Sequence, residues 1–193
     1  MKIIKKEYIY KESRDDLLAQ LRGKVFHVTT HHTFYSMQAS GFIGHNKEER
    51  FPLNTTSENS LGRKRGWVCF FDLRNISDED LEWTLRKYYF LEPDWFTRYT
   101  KEDTISELAY LILDDSALSK IISIEDVKKN EGQTQIYEHY VPEAEVWYPS
   151  DVPFSLVKEV LLVIIQRKAP KDKPWLYAHH MDAYEKQQNK SGS

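Results

Sequence analysis

The sequence predicts an α+β fold in a single domain at residues 1–168, followed by a polar tail at 169–193. The chain has 193 residues, of which 40% are hydrophobic, and this is enough to bury one core without disulfide or metal support. Segments with helical spacing lie mainly in the first half, whereas runs of β-branched and aromatic residues concentrate in the second half. A parallel α/β sheet would instead alternate helices and strands regularly, so the pattern favours an α+β arrangement.

Two elements are expected before residue 31. The segment KESRDDLLAQLRG at 11–23 places three leucines on one helical face and ends in Gly23, a residue type that commonly terminates helices. The segment KVFHVTT at 24–30 is rich in β-branched and aromatic residues, which predicts a strand. The predicted domain therefore opens with a helix and a strand.

The segment HHTFYSMQASG at 31–41 predicts a second helix. Thr30 is suited to cap its first turn, and Gly41 is suited to follow its last turn. Residues 44–66 are long, polar and without a periodic pattern, so we expect a loop. A loop of this length in a compact domain is usually either functional or disordered.

The second half is predicted to consist mainly of strands. Ser77 and Asp80 form a capping pair that predicts one further helix, whereas continuous or alternating apolar runs predict strands elsewhere. We therefore expect a strand at 67–73, a helix at 77–90, a strand at 107–115, a helical turn at 116–121, strands at 132–141 and 143–149, and a helical turn leading into a last strand within 154–166.

Composition excludes several classes of function. Cys69 is the only cysteine, which excludes a disulfide within one chain and a multi-cysteine zinc site, and no metal site is expected. The net charge of −3 argues against a polycationic nucleic-acid binder, although two segments, GRKRG at 62–66 and a basic, aromatic stretch at 86–101, could contact phosphate or bases.

No signal peptide and no apolar run of membrane-spanning length occurs, so we expect no membrane partner and a cytoplasmic location.

Known motifs for nucleotide and nucleophile chemistry are absent. The sequence contains no phosphate loop of the form G-x-x-x-x-G-K-S/T and no dinucleotide fingerprint G-x-G-x-x-G. It also contains no G-x-S-x-G nucleophile motif. Two less specific features remain, one near each end of the predicted domain.

The first feature is the strand that contains His27 and Thr29. Because side chains alternate along a strand, these two residues share one face, and Phe26 and Val28 occupy the other. An imidazole beside a hydroxyl is suited to binding ribose hydroxyls or an amide. The alternative interpretation is a structural histidine that bonds to the backbone.

The second feature is the pair Glu143 and Glu145, which the predicted strand at 143–149 places on one face. A carboxylate in this position could accept a hydrogen bond from a sugar hydroxyl, stabilise an oxocarbenium ion or deprotonate a nucleophile. The alternative interpretation is an exposed acidic edge that resists aggregation.

Taken together and in order, these segments resemble the ADP-ribosyltransferase superfamily, in its histidine-bearing branch of diphtheria-type enzymes, poly-ADP-ribose polymerases and DNA-targeting toxins. The similarity covers about residues 24–166 and rests on the order of five short segments. These segments are VFHVTT, SGFI, RGWVCFFD, AYLILDDSALS and EAEVWYPSDVPFSLVKEVLLV.

The resemblance implies a split β-sheet core with short helices, NAD as substrate, and cleavage of the nicotinamide–ribose bond. ADP-ribose would pass to DNA, RNA or protein, or to water in an NAD glycohydrolase, in a toxin or defence context with an antitoxin partner. The implied catalytic residues are Glu145, His27 and Glu143, with Glu145 holding the ribose 2′-hydroxyl and Glu143 positioning the acceptor. The implied NAD-binding residues are His27, Val28, Thr29, Tyr35, Arg63, Arg65, Trp67 and Phe70.

The sequence also departs from the family pattern. The second strand lacks the tyrosine of polymerase-like members, with Trp67 and Phe70 as the nearest aromatic residues, and the motifs of the arginine-specific group are absent. Two alternatives therefore stay open: a catalytically inactive domain that binds nucleic acid or protein, and an RNA 2′-phosphotransferase-like activity using the basic residues at 62–66. The catalytic interpretation requires that His27 and Glu145 face one cleft; on opposite faces, the packing interpretation of His27 is favoured.

Overall fold

The computed structural model describes residues 1–9, 13–51, 58–91, 97–99, 103–131 and 136–168. Its helices are α1 (Ser13–Leu21), α2 (His31–Ser40), α3 (Leu61–Arg65), α4 (Asp78–Lys87) and α5 (Ile124–Glu131), with 3₁₀ helices at Asp115–Lys120 and Phe154–Leu156. Its strands are β1 (Lys2–Ile9), β2 (Val25–Thr30), β3 (Phe42–Ile43), β4 (Val68–Asp72), β5 (Thr97–Tyr99), β6 (Asp103–Leu113), β7 (Glu145–Tyr148), β8 (Val152–Pro153) and β9 (Val157–Lys168).

A seven-stranded mixed sheet forms the centre of the fold. Six of its strands run in the order β1-β9-β6-β2-β4-β7, and β5 pairs with β6 outside this path. Among the described strands of this sheet, only β1 and β9 pair in parallel, and the other pairs are antiparallel. Strands β3 and β8 form a separate two-stranded ribbon. This mixed arrangement of helices and strands is compatible with the α+β class predicted from the sequence. The split-sheet core implied by the resemblance stays a prediction.

The two faces of the sheet carry separate hydrophobic clusters. One face, the α1 face, packs the side chains of Phe26, Phe71 and Leu161 against Leu17 and Leu21 of α1. The other face, the α2 face, packs strand residues such as Phe70 and Val146 against the helix α2 and the 3₁₀ helix at Asp115–Lys120. The alternation of side chains along each strand thus produces two apolar layers, one on each side of one sheet.

Most elements of the first half form where the sequence predicts them. The helix at α2 begins after Thr30, whose Oγ1 accepts a hydrogen bond from the Thr33 amide at 3.1 Å. It ends at Gly41, which has φ = 81° and donates its N–H to the Met37 carbonyl. A side chain at this position would be strained, since positive φ favours glycine.

The chain before residue 66 differs from prediction at two places. The chain opens with β1, an unpredicted strand in which three lysines and a glutamate obscure the apolar alternation. The segment GRKRG is part of helix α3, not a loop, because Leu61 anchors it against Trp147 while Gly66 ends it with φ = 76°. Residues 52–57 of the predicted loop lie outside the described residues.

The second half also differs from prediction in part. Helix α4 and its Ser77 cap, β4, β6 and β9 are confirmed. Helix α5 was not predicted. The described residues 136–141 form no strand of a sheet and contribute one isolated bridge, between His139 and Ser60, while residues 132–135 are outside the described ranges.

The described residues end before the polar tail, and their helices can be compared with the length that a membrane span requires. The tail at 169–193, like residues 92–96 and 100–102 of the basic, aromatic stretch, lies outside the described residues. Among the described helices, none is both long and apolar enough to cross a membrane.

Candidate functional site

Strands β2 and β4 of the central sheet diverge at His27. Strands β2 and β4 pair only through Val25 with Asp72 and Phe26 with Phe71. If this register continued, Val28 would lie opposite Cys69; instead, the Cys69 carbonyl accepts a hydrogen bond from the His27 imidazole, with Nδ1 and O 2.9 Å apart. A side chain thus replaces the backbone ladder where the two strands diverge, and β2 continues to pair with β6 on its other side.

This hydrogen bond fixes the tautomer of His27. A carbonyl oxygen can only accept, so Nδ1 carries the proton and donates it. Burial lowers the pKa of His27, which favours the neutral ring and leaves Nε2 as a hydrogen-bond acceptor. No described residue donates to Nε2, and this atom is not completely enclosed. Nε2 is therefore a hydrogen-bond acceptor that the described residues leave unused.

The residues around His27 are divided between the two faces of the sheet. His27 pairs with Leu111 and Thr29 with Ala109, both of which belong to the α2 face. The prediction that His27 and Thr29 share a face is therefore confirmed. Val28 packs into the cluster of the α1 face, so it cannot line the same surface as His27.

Phe70 lies beside His27 on the α2 face. The two ring centroids are 5.8 Å apart with an interplanar angle of 60°, which is an edge-to-face contact. Of the two aromatic residues proposed for the nicotinamide, Phe70 accompanies His27, whereas Trp67 packs with Trp147 at a centroid distance of 6.3 Å in a different cluster.

Glu145 begins β7, and its carboxylate is held by several hydrogen bonds. Oε2 accepts from the Val141 amide at 2.7 Å, and Oε1 accepts from the indole Nε1 of Trp147 at 2.8 Å. The Cys69 thiol lies beside this carboxylate and donates to the Phe70 carbonyl, with S and O 3.9 Å apart. These contacts tie the segment before β7 to the strand itself, so they give Glu145 a structural role.

The environment of Glu145 changes two pKa values. Burial raises the pKa of Glu145, although the hydrogen bonds from Val141 and Trp147 and the adjacent Cys69 thiol act in the opposite direction. Burial, followed by the nearby Glu145 charge, raises the pKa of the Cys69 thiol well above its usual value. Cys69 is consequently a poor nucleophile, because the thiolate is the reactive form.

His27 and Glu145 lie on opposite faces of the sheet. The register pairs Glu145 with Phe71 and Phe71 with Phe26, and directly opposed residues share a face. Glu145 therefore lies on the α1 face with Phe26. His27 follows Phe26 in β2, so its side chain lies on the opposite face. The predicted arrangement, in which these two side chains face one cleft, is not formed, and by the criterion given above this favours the packing interpretation of His27 over joint catalysis with Glu145.

Glu143 does not share a strand face with Glu145, because β7 starts at Glu145. Glu143 is an exposed turn residue with φ = 62°. Both glutamates nevertheless line a cavity of about 200 Å³, which also includes carboxylates from the end of β4 and from helices α4 and α5. The acidic members of this lining are Asp72, Asp80, Glu125, Glu143 and Glu145.

The two arginines proposed for the pyrophosphate are engaged in ion pairs. Arg63 contacts Glu49 at 2.7 Å and also donates to the backbone carbonyls of Asn46 and Glu58. Arg65 lies 3.8 Å from Glu138 and its guanidinium stands 5.9 Å from the centre of the Trp67 ring. Both side chains thus hold neighbouring loops to α3.

Tyr35, the remaining residue of the predicted NAD-binding set, is 53% exposed on α2. Its ring contacts Phe34 at a centroid distance of 4.8 Å. The tyrosine is free to contact a ligand from the surface, but no contact in the described residues joins it to His27. In the described part of the chain, no three side chains of the metal-binding types could hold an ion.

Comparison with protein-family models, curated proteins and solved structures found no match for this chain. The resemblance based on short segments is therefore not supported by a detectable relative. The site must be interpreted from its own geometry.

Sequence reasoning missed the role of Cys69. Its carbonyl holds His27 and its thiol contacts Glu145. A backbone carbonyl carries no signal in the sequence, and a single cysteine in a predicted strand looks like a small core residue. Only the pairing of β2 with β4 shows why this position matters.

Proposed function

We propose that this chain binds NAD at the divergence of β2 and β4, with the Nε2 atom of His27 accepting a hydrogen bond from a ribose hydroxyl. The observation that carries the proposal is the fixed, neutral tautomer of His27. In this tautomer the ring accepts from a hydroxyl and offers no positive charge to a phosphate. A ribose is therefore a better fit to the ring than a pyrophosphate.

Two neighbours of His27 lie on the α2 face, Phe70 in edge-to-face contact and Thr29 two positions along β2. Both are buried, at 0% and 4% exposure, so the proposed contact with the ligand rests on His27 and not on these two side chains. The resemblance to ADP-ribosyltransferases in the segments around His27 and β9 supplies the specific choice of NAD among ribose-containing ligands.

ADP-ribosyl transfer, or NAD hydrolysis, is the second candidate function. It is favoured by the raised pKa of Glu145 and by the cavity that contains Glu143 and Glu145. In this candidate the chain would be a cytoplasmic enzyme, a toxin or defence protein with a DNA, RNA or protein acceptor and an antitoxin partner. The opposite orientation of His27 and Glu145 argues against their joint action on one bound NAD.

Binding can be tested by thermal unfolding with and without NAD. A ligand at about a hundredfold excess over its Kd stabilises the native state by ~2.7 kcal/mol, which corresponds to a rise in Tm of roughly 5–10 °C for a chain of this size. His27→Asn is the informative variant, because its amide can still donate to the Cys69 carbonyl but has no group at the Nε2 position. We expect this variant to fold and to lose the NAD-dependent shift.

His32→Asn is the matched control, since His32 is exposed on the adjacent helix. An equal NAD-dependent shift in the two variants would remove His27 from the binding site. No shift in the wild-type protein at millimolar NAD would overturn the proposal.

Nicotinamide release separates binding from the second candidate. NAD binding without release would indicate a non-catalytic domain. Release that is lost in Glu145→Gln and kept in Glu143→Gln would instead establish cleavage that depends on Glu145, provided that Glu145→Gln still binds NAD.

The nucleic-acid and phosphotransferase alternatives receive less support from the geometry. Two of the three cations at 62–66 pair with glutamates, so they are not free to bind phosphate without breaking those pairs. Binding to DNA or RNA that weakens steeply with salt and is indifferent to NAD would favour these alternatives.

A further inference from the structure

The outer edge of β1 is open in the described part of the chain. β1 is the last strand of the sheet, and its only partner among the described strands is β9. It contributes eight residues to this pairing, from Lys2 opposite Glu159 to Ile9 opposite Gln166. An open strand of this length offers a row of backbone donors and acceptors to another strand.

The side chains of β1 alternate between a packed set and an exposed set. Ile4 and Tyr8 pack against the core of the α1 face, and Lys6 between them donates to Asp16 at 3.0 Å. Ile3, Lys5 and Glu7 are exposed on the other face. Neither Lys5 nor Glu7 forms an ion pair with any described residue, so one free cation and one free anion lie two positions apart on the same face.

This pattern is complementary to itself in one register. When two copies of β1 run antiparallel about a two-fold axis at Lys6, Lys5 of each copy lies opposite Glu7 of the other, and Ile4 lies opposite Tyr8. Opposed residues share a face, so both charge pairs and both apolar pairs are compatible with the sheet. Shifting the axis by one residue in either direction places Lys5 opposite Lys5 or Glu7 opposite Glu7.

We propose that β1 pairs with β1 of a second copy of this chain, in the antiparallel register centred on Lys6, and joins two seven-stranded sheets into one. The partner is the chain itself because β1, when it runs antiparallel, presents Glu7 opposite Lys5 and Lys5 opposite Glu7. The Lys6 charges, which meet at the axis, are each neutralised by Asp16. The interface is small and comprises backbone hydrogen bonds and these four side-chain pairs, so the dimer should be in exchange with monomer.

Variants that exchange the charges at Lys5 and Glu7 test the proposal. Their dimerisation is measured by sedimentation over a wide range of protein concentration. We expect the wild-type chain to form a dimer as concentration rises. Lys5→Glu places like charges opposite each other twice and should weaken dimerisation by about tenfold. The double variant Lys5→Glu/Glu7→Lys restores both pairs with reversed polarity and should recover the dimer.

Lys128→Glu, an equal charge change at an exposed position of α5, is the matched control and should dimerise like the wild type. A wild-type chain that remains monomeric at all concentrations would overturn the proposal. A dimer that Lys5→Glu does not weaken, or that the double variant does not restore, would place the interface elsewhere and overturn it as well.

Cysteine crosslinking reads out the register directly. Opposed residues of antiparallel strands have Cα atoms about 4.5–5.5 Å apart, which is within the range for a disulfide. Lys6→Cys should therefore crosslink to its own copy under oxidation, whereas Glu7→Cys should not, because Glu7 faces Lys5 in this register. Crosslinking of Glu7→Cys but not Lys6→Cys would contradict the assignment; the wild-type chain controls for Cys69.

Discussion

At the residue scale, Cys69 connects the two candidate site residues without placing them together. Its backbone carbonyl holds the His27 imidazole, and its thiol contacts the Glu145 carboxylate. The separation arises because a strand directs its backbone within the sheet and its side chains away from it. Two residues can therefore contact the same neighbour and still lie on opposite faces of the sheet.

Neutral His27 makes stability depend on pH in a defined direction. Burial lowers its pKa in the folded chain below the value of about 6.5 in the unfolded chain. The unfolded state then binds more protons below that pH, so the contribution of His27 to stability is present above it and is lost as the pH falls through the folded-state pKa. We expect the difference in unfolding free energy between wild type and His27→Asn to shrink on acidification.

Urea unfolding across a pH series measures this difference, and His32→Asn provides a control in which the difference from wild type should stay nearly constant. A difference for His27→Asn that grows on acidification would show that the folded protein favours the charged ring.

Thr84 is a second residue with a specific prediction. Its side chain is 0% exposed in α4, and its Oγ1 is the one buried side-chain polar atom without a partner in the described part of the chain. Replacing this hydroxyl with a methyl group removes an unpaired polar group from the core. We expect Thr84→Val to stabilise the protein by about 1 kcal/mol, measured by chemical denaturation.

Thr30→Val is the opposing control, because the Thr30 hydroxyl caps α2. We expect it to destabilise the protein by about 1 kcal/mol. Destabilisation by Thr84→Val of similar size would indicate that its hydroxyl has a partner after all.

At the scale of elements, α3 shows how a contact outside the local sequence creates a helix. Gly62 packs so closely on Trp147 that an added Cβ would lie 2.7 Å from the indole Cδ1. The helix is only five residues long, so its stability depends on Leu61 and Gly62 docking against β7. The sequence GRKRG predicted a loop because it carries no apolar stripe of its own.

Gly62→Ala tests this docking. Although alanine has the higher intrinsic helix propensity, the clash with Trp147 should dominate, and we expect a loss of about 1–3 kcal/mol of stability. Lys64→Ala, at an exposed position of the same helix, should change stability little. Equal stability of Gly62→Ala and wild type in thermal unfolding would show that α3 can move away from β7.

At the scale of the whole molecule, the strand order β7-β4-β2-β6-β9 brings the proposed catalytic strands near one another, separated by β4. The sequence anticipated this sheet only in pieces. It identified β2, β4, β6, β7 and β9 from their continuous or alternating apolar runs, and it missed β1 because an edge strand tolerates lysine and glutamate at exposed positions.

The mixture of helices and strands, the capped helices α2 and α4, and the shared face of His27 and Thr29 could all be predicted from the sequence, because each follows from local periodicity or capping chemistry. The tertiary structure decided the relation between His27 and Glu145. Their relative faces depend on the registers of β2 with β4 and of β4 with β7, which link residues more than forty positions apart. A shift of one residue in either register would reverse the result, since side chains alternate at every position, and no local pattern encodes that register.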